Sequence, residues 1–353
     1  MIKVFQSDNV FQTLHDEWNE LYLNSYFVTP FQSLTFNSQA WKRYGEKEQL
    51  FVFIVMQDNT KQILALFPCF IDCNLALRFI NDGDSDFCIP LIRNGYEHNY
   101  ALSEEISEFL IKEKSFKRIK WTNIVGSSVI LSNFTPFMRG IVSYPINAYS
   151  YFYIQVPKEG TTYIESINQI ENAKDRNRLK KLERKIKDAD FRFYKKGKEN
   201  SNYPSEIIGN LTDVMIKNGI RTRAYFNNQF LEFIKELYEK GILIIGVTLL
   251  HDKPVALSFS VYENKEELIQ WVALYTEKQY NLWNVLQLIS FLYKKGGNVR
   301  FNFARGIYEY KLRNFRPIIK PLYCLYYSKT RMGQLRDCVG ACLYFYRKID
   351  KSL

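Results

Sequence analysis

Two stretches of the chain, about 190 residues apart, carry the same alternation of apolar runs and polar turns. Residues 51–71, FVFIVMQDNTKQILALFPCFI, predict strand, turn at Asp58–Asn59, strand. Residues 242–262, ILIIGVTLLHDKPVALSFSVY, predict the same hairpin with its turn at Asp252–Lys253. Each hairpin is followed by a helix with a basic tail and then a short strand ending in glycine. These are FLIKEKSFKRIKWTNIVG at 109–126 and FLYKKGGNVRFNFARG at 291–306. A shared order of hairpin, helix, strand and glycine predicts two diverged copies of one α/β unit.

The remaining periodicities complete each copy. In the first half, helices are expected at 10–24, 38–48 and 103–114, and strands at 75–80 and 117–122. An acidic turn, NDGDSDF, lies between the 75–80 strand and the 103–114 helix. In the second half, strands are expected at 149–156, 267–275, 299–303 and 321–327. Helices are expected at 161–169, 173–188, 204–219, 227–240, 284–296 and 331–349. The boundary falls near 145, giving domains 1–145 and 146–353. The 353 residues match two domains of ordinary size.

Composition narrows the class. With 46 % apolar residues, each half can bury its own core. The first residues lack an apolar signal-peptide region, and no apolar run reaches the ~20 residues of a spanning helix, so a soluble, cytoplasmic chain is expected. Six cysteines without a CxxC pair, and three histidines none of which is near Cys338 and Cys342, point to reduced thiols and no metal.

Charge is concentrated. Between Lys174 and Lys198 lie twelve Lys/Arg against four Asp/Glu, in a protein of net charge +11. Leu179, Leu182, Ile186 and Ala189 fall at helical spacing with Arg176, Lys180, Lys181, Arg184, Lys185 and Lys187 around them. This is either a solvated face or a surface for an anion, such as a nucleotide cofactor, a nucleotide-linked sugar, a lipid head group of a membrane, or RNA. DNA is not expected as a partner.

P-loop, GxSxG, HExxH and GxGxxG motifs are absent. Two segments carry candidate chemistry. The strand–loop–helix at 267–296 is expected to open its helix at Asn284, where free amides favour an anion. In FNFARGIYEYKLRNF (301–315), Arg305–Gly306 forms a turn after a strand, followed by Tyr308, Tyr310, Lys311 and Arg313, a cluster suited to proton donation or charge clamping. In the first half, Asp84, Ser85 and Asp86 can accept hydrogen bonds from the hydroxyls or ammonium of an acceptor substrate.

The order of these segments resembles GNAT-fold acyltransferases of the BioF2-like, polysaccharide-biosynthesis type, relatives of the FemABX peptidyltransferases. The matching segments are NRLKKLERK (177–185), IKNGIRTRAYF (216–226), DKPVALSFSVY (252–262), YTEKQYNLWNVLQLISF (275–291) and FNFARGIYEYK (301–311). PFQSLTFNSQAWKRYG (30–45) and LRFINDGDSDFCIPLI (77–92) match in the first half. The resemblance implies tandem GNAT-like domains, each a mixed, mostly antiparallel sheet flanked by helices, with acyl-CoA (acetyl-CoA) as donor. It places the pantetheine along Ala273 and Tyr275, and the pyrophosphate at Asn284 and Val285 near Arg305 and Gly306. Tyr310 and Lys311 match the family's catalytic "YK", and Arg221 lies in the segment matched on the substrate side. The implied acceptor is a sugar, nucleotide sugar or related amine in cell-surface polysaccharide synthesis. Trp283–Asn284, Asn302 and Ile307 or Tyr308 depart from the family's small residue with glycine, its acidic residue before the glycine turn and its acidic residue after it. Those departures leave room for a non-catalytic binding protein. A FemABX-like transfer from aminoacyl-tRNA, with RNA phosphates on the basic helix, is the alternative enzyme. Donor is expected in the second half only, and Lys311→Met is expected to lower turnover at least ~100-fold at nearly unchanged stability.

Overall fold

The computed structural model describes residues 1–44, 47–80, 82–126, 133–134, 136–154, 174, 177, 180, 181, 184, 188–197, 202–262, 267–295 and 299–350. The helix expected at 161–169 and most of the basic helix at 173–188 lie outside the described residues. Within the latter, Lys180, Lys181 and Arg184 are helical and exposed.

The chain divides into two compact units, Met1–Ala148 with Lys320–Leu353, and Tyr149–Ile319. The first contains β1 (Ile2–Phe5), α1 (Val10–Thr13), α2 (His15–Leu23), α3 (Leu34–Tyr44), β2 (Gln49–Met56), β3 (Ile63–Ile71), β4 (Ala76–Phe79), β5 (Leu91–Ile92), α4 (Tyr100–Lys112) and β6 (Arg118–Val125). Strand β7 (Val142–Ile154) gives its first residues to this unit and its last six to the second. The second unit continues with β8 (Ala189–Tyr194), α5 (Ser205–Lys217), α6 (Asn228–Glu239), β9 (Leu243–Leu250), β10 (Lys253–Tyr262), β11 (Glu267–Tyr275), α7 (Lys278–Lys295), β12 (Val299–Arg305) and α8 (Glu309–Phe315). β13 (Ile318–Ser328) and α9 (Arg331–Asp350) close the chain.

In the first unit the strand order is β1-β2-β3-β4-β6-β13-β7, with β5 beside β3. The hairpin β2–β3 and the pair β6–β13 are antiparallel, whereas β4 and β6 run parallel. In the second the order is β7-β12-β11-β10-β9-β8, and β11 and β12 form the parallel pair. Both units therefore run hairpin, strand, helix, parallel strand, the repeat anticipated from the sequence. The hairpin turn at His251–Asp252 takes positive φ at both residues (48° and 62°), which matches the right-handed twist of its strands.

Residues 320–353, expected in the second domain, belong to the first unit. The physical reason is strand exchange. β12 is completed on its outer edge by Tyr149–Ile154, which follows the first unit in sequence, and β6 is completed by β13, which follows the second. Each edge that would otherwise expose unpaired backbone is thereby covered.

The cores explain why these residues form these elements. Phe51, Phe53, Phe67, Phe79, Trp121 and Phe134 are fully buried on one side of the first sheet, with Phe53 and Phe67 stacked at 4.4 Å. In the second unit, Leu268, Phe301 and Phe303 meet Val285, Leu288, Ile289 and Leu292 of α7. Three short strands, β1, β5 and β8, were not expected. β8 (ADFRFY) alternates over only six residues and pairs with β9 along its length, so its partner decides its conformation.

Candidate functional site

The parallel ladder of the second unit is short. Glu267, Leu268 and Ile269 pair with Arg300, Phe301 and Asn302, and pairing then stops although β11 runs six residues further, to Tyr275. The divergence has a local cause. Ala304 sits at φ 56°, its N–H donating to Asn302 Oδ1 at 2.8 Å, and the β12–β7 register shifts between Asn302 and Arg305. Asn302 also donates to Glu267 Oε1 at 2.7 Å, and Arg300 forks onto the same carboxylate at 2.8 and 2.7 Å. The amide that departs from the expected acidic residue thus props the bulge that turns β12 away from β11.

The open edge of β11 has one telling contact. Tyr275 N–H points away from β10 and donates to the Met215 sulfur at 3.3 Å, while the next amide, Thr276 N–H, donates back to Val255 C=O at 2.9 Å. A thioether is a weak acceptor. A ligand carbonyl would be a stronger partner for that amide. Met215 on α5 was missed by the sequence reading, because a methionine on an apolar helix stripe carries no signal of its own.

Past Tyr275 the chain enters α7 at Lys278. Tyr280 and Asn281 make the first returns, both to Glu277 C=O (3.0 and 3.4 Å), so the amides of Lys278 and Gln279 precede the first intrahelical bond. Ile220, Tyr275, Thr276, Glu277, Lys278 and Gln279 line a cleft of about 490 Å³ here. Helix N-terminus and cleft together are suited to an anionic group.

This corrects the expected position of the helix start. Asn284 and Val285 lie two turns inside α7 and are fully buried. Tyr280, Leu282, Trp283 and Leu286 pack with Ala189 and Phe315, and that packing draws residues 278–283 into the helix. Asn284 instead pins α7 to the sheet. Its Nδ2 donates to Gly246 C=O (2.9 Å) and Thr248 Oγ1 (3.1 Å), and its Oδ1 accepts from Ser258 Oγ (2.6 Å), which in turn accepts from Gln270 Nε2 (3.0 Å). Asn284→Leu should lower unfolding free energy by about 2–3 kcal/mol, because it orphans several buried polar groups at once. Urea titration of the purified variant is the check.

Tyr310 lies at the same place. It is half-buried on α8, close to the Asn281 side chain in the first turn of α7. Burial holds its phenol well above the usual tyrosine range, with smaller upward contributions from Tyr275 and Tyr308, so the hydroxyl stays protonated at physiological pH. The structure therefore brings Tyr275 and Tyr310 of the sequence-predicted set to one helix end. Ala273 is on the same strand, paired with Ser258, and Arg221 follows the cleft residue Ile220 in an exposed loop, its guanidinium 5.2 Å from the Tyr225 ring centroid.

Lys311 has another task. It is 3 % exposed, and its ammonium donates to Phe303 C=O and Gly306 C=O, both at 2.8 Å, with the Tyr308 ring 4.8 Å away. It ties off the turn after β12 and so positions α8 and Tyr310; the expected cleft-facing ammonium is not what the fold makes of it. Gly306, at φ 95°, is required there, since a Cβ would meet the Tyr308 ring at 2.9 Å. Arg305, half-buried, pairs with Tyr149 across the bulge.

The first unit closes the equivalent opening with its own chain. The β4–β6 ladder ends at Leu77 and Ile119, and beyond it Cys88 N–H donates to Asn123 C=O (3.1 Å) while Asn123 Nδ2 donates to Ser85 C=O (3.2 Å). Asp84 and Asp86 are 7 % and 6 % exposed, and Asp84 accepts from Arg43 Nη1 at 2.7 Å. The acidic turn expected to meet an acceptor substrate is thus a buried plug. Apolar neighbours on both sides (Phe79, Ile80, Phe87, Cys88) draw it inward, and Arg43 makes the burial tolerable.

Among the described residues there is no metal-ligand cluster of three or more groups, and no helix long and apolar enough to cross a membrane. No family model and no curated protein matches the sequence. Solved structures do match. FemX aligns over 94 % of this chain and 99 % of its own at 7 % identity, with a TM-score of 0.61. A C-terminal domain assigned to a lysylphosphatidylglycerol synthetase of Agrobacterium fabrum aligns over 95 % and 96 % at 10 % identity, TM-score 0.58. A tandem GNAT protein from the clavulanic acid biosynthesis pathway aligns over 94 % and 99 % at 10 % identity, TM-score 0.51. At such identities the likeness establishes the fold, which is a tandem GNAT-like pair of mixed sheets flanked by helices.

Proposed function

We propose that this chain is a GNAT-fold acyltransferase whose second unit holds an acyl-CoA donor between β11 and β12. The observation that carries the reading is the early end of the parallel ladder. It leaves the β11 edge open, with the Tyr275 amide on a weak sulfur acceptor, beside the N-terminus of α7. A pantetheine amide would replace Met215 on that edge, and the pyrophosphate would meet the amides of Lys278 and Gln279 with the Lys278 ammonium close by. The plugged first unit offers no such opening. The fold likeness to a tandem GNAT protein supports the same reading.

In the reaction an acceptor amine or hydroxyl attacks the thioester carbonyl. The new N–C or O–C bond forms as the C–S bond breaks, an amide of the open edge steadies the oxyanion, Tyr310 gives its proton to the departing thiolate, and the proton lost by the acceptor nitrogen or oxygen returns through water to the phenolate. The phenol carries its proton at physiological pH, as a donor must, while burial makes it a weaker acid than an exposed tyrosine. The acceptor we assign, on the sequence resemblance, is an amine or hydroxyl of a sugar or nucleotide sugar, of the kind used in cell-surface polysaccharide synthesis.

Acetyl-CoA at 100 times its Kd should stabilise the protein by about 2.7 kcal/mol, read as a thermal shift. Tyr310→Phe should keep that shift and lower turnover by ~100-fold or more. No shift with acetyl-CoA would refute the donor assignment. The second reading, transfer of an aminoacyl group from aminoacyl-tRNA, is favoured by the fold likeness to FemX and by the exposed Lys180, Lys181 and Arg184. A thermal shift with charged tRNA and none with acetyl-CoA would select it.

A further inference from the structure

The last helix is turned inside out. α9 rests on the first unit through Gln334, Asp337, Ala341 and Tyr344, a stripe of mostly polar or small residues. Gln334 Nε2 donates to Ser328 C=O (3.0 Å), Asp337 accepts from Ser328 Oγ (2.6 Å), and Tyr344 donates to Ile146 C=O (3.1 Å). Apart from Tyr344 and Phe345, whose rings lie 5.1 and 5.7 Å from that of Tyr144, its large apolar residues face outward. Met332, Leu335, Val339, Leu343 and Tyr346 follow the helical repeat on one face, and Met332 and Tyr346 are 76 % and 72 % exposed. Of nineteen exposed large hydrophobic residues among the described ones, six lie on this helix, which makes a patch rather than scatter.

The charge around the patch selects its occupant. Arg331 and Arg336 are exposed beside it; the nearby acid, Asp337, is mostly buried against Ser328, with its other oxygen 3.9 Å from the Arg336 guanidinium. A second copy of the helix packed on this stripe would bring arginine toward arginine, with no exposed acid among the described side chains of the helix to answer it. An apolar helical face rimmed by arginines is instead complementary to a bilayer carrying anionic head groups, its side chains entering the acyl boundary while the guanidinium groups meet phosphates.

We propose that α9 docks the protein on an anionic membrane surface, lying in the plane of the interface. The proposal is independent of the acyl donor. It is tested by sedimenting the full chain with vesicles of phosphatidylcholine, with and without phosphatidylglycerol. The expected result is co-sedimentation with the anionic vesicles that weakens as salt rises. Leu335→Glu and Leu343→Glu should each reduce the partition coefficient at least ~10-fold, since each replaces a buried apolar contact with a charge. Both sites are exposed, so the melting temperature should not move. Leu343→Trp should gain a blue-shifted emission on adding anionic vesicles, absent from the parent protein. Vesicle binding that survives both glutamate substitutions would place the contact elsewhere and overturn the proposal. So would an absence of vesicle binding, or a dimer in light scattering that Leu335→Glu dissociates.

Discussion

Asp84→Ala is expected to destabilise the first unit by about 3–5 kcal/mol, the range for breaking a buried ion pair on one side. The Asp84 and Arg43 side chains are 4 % and 12 % exposed, at 2.7 Å, and the turn that carries Asp84 hydrogen bonds into β6 through Ser85. Removing the carboxylate leaves the guanidinium in a poorly hydrated place and loosens the plug over the β4–β6 opening. Urea unfolding of the variant measures the loss. The double variant Arg43→Met with Asp84→Ala should recover part of it, because neither charge is then stranded. An effect below ~0.5 kcal/mol, the scale of an ordinary surface change, would show the turn to be solvated after all.

Lys311→Met is expected to lower unfolding free energy by about 3–4 kcal/mol, from two charge-assisted bonds to backbone carbonyls that lose their donor together. For a unit of this size that is roughly 6–15 °C in melting temperature. The assignment made from sequence has the opposite signature, with intact stability and a large loss of turnover. The structure changes the expectation because the ammonium is spent on Phe303 and Gly306, away from the cleft. Turnover measured well below the melting temperature should therefore fall less than in Tyr310→Phe, whose hydroxyl is the group at the helix end. A stable, inactive Lys311→Met would return the residue to the chemistry.

Comparison of the two openings explains what distinguishes the units. Both parallel ladders end early, a consequence of the shared hairpin–strand–helix–strand order. In one, Ser85–Cys88 fills the gap by bonding to Asn123. In the other, a bulge held by Asn302 and a turn held by Lys311 keep it open, and a thioether stands where a ligand amide partner would bind. Residues that depart from the family pattern at Asn284 and Asn302 are thus in structural service, one pinning α7 and one shaping β12.

The duplicated unit, its hairpins and most helices were legible along the chain, because burial on one face imposes a period of two or of about 3.6 on side-chain polarity. The position of Tyr275 at the end of a strand and that of Tyr310 after a glycine turn were legible too, whereas the roles expected of them came from the family resemblance. Periodicity is local, however, and carries no information on which distant groups satisfy a buried polar atom. The return of β13 to the first unit depends on an edge of β6 that needs a partner. The start of α7 at Lys278 depends on Trp283 finding Leu286 and Phe315. The inward turn of Asp84 depends on Arg43, forty-one residues earlier, and the burial of Lys311 depends on two carbonyls freed by a bulge. Only the tertiary structure decided these, since each is a pairing between groups whose separation along the chain is unrelated to their separation in space.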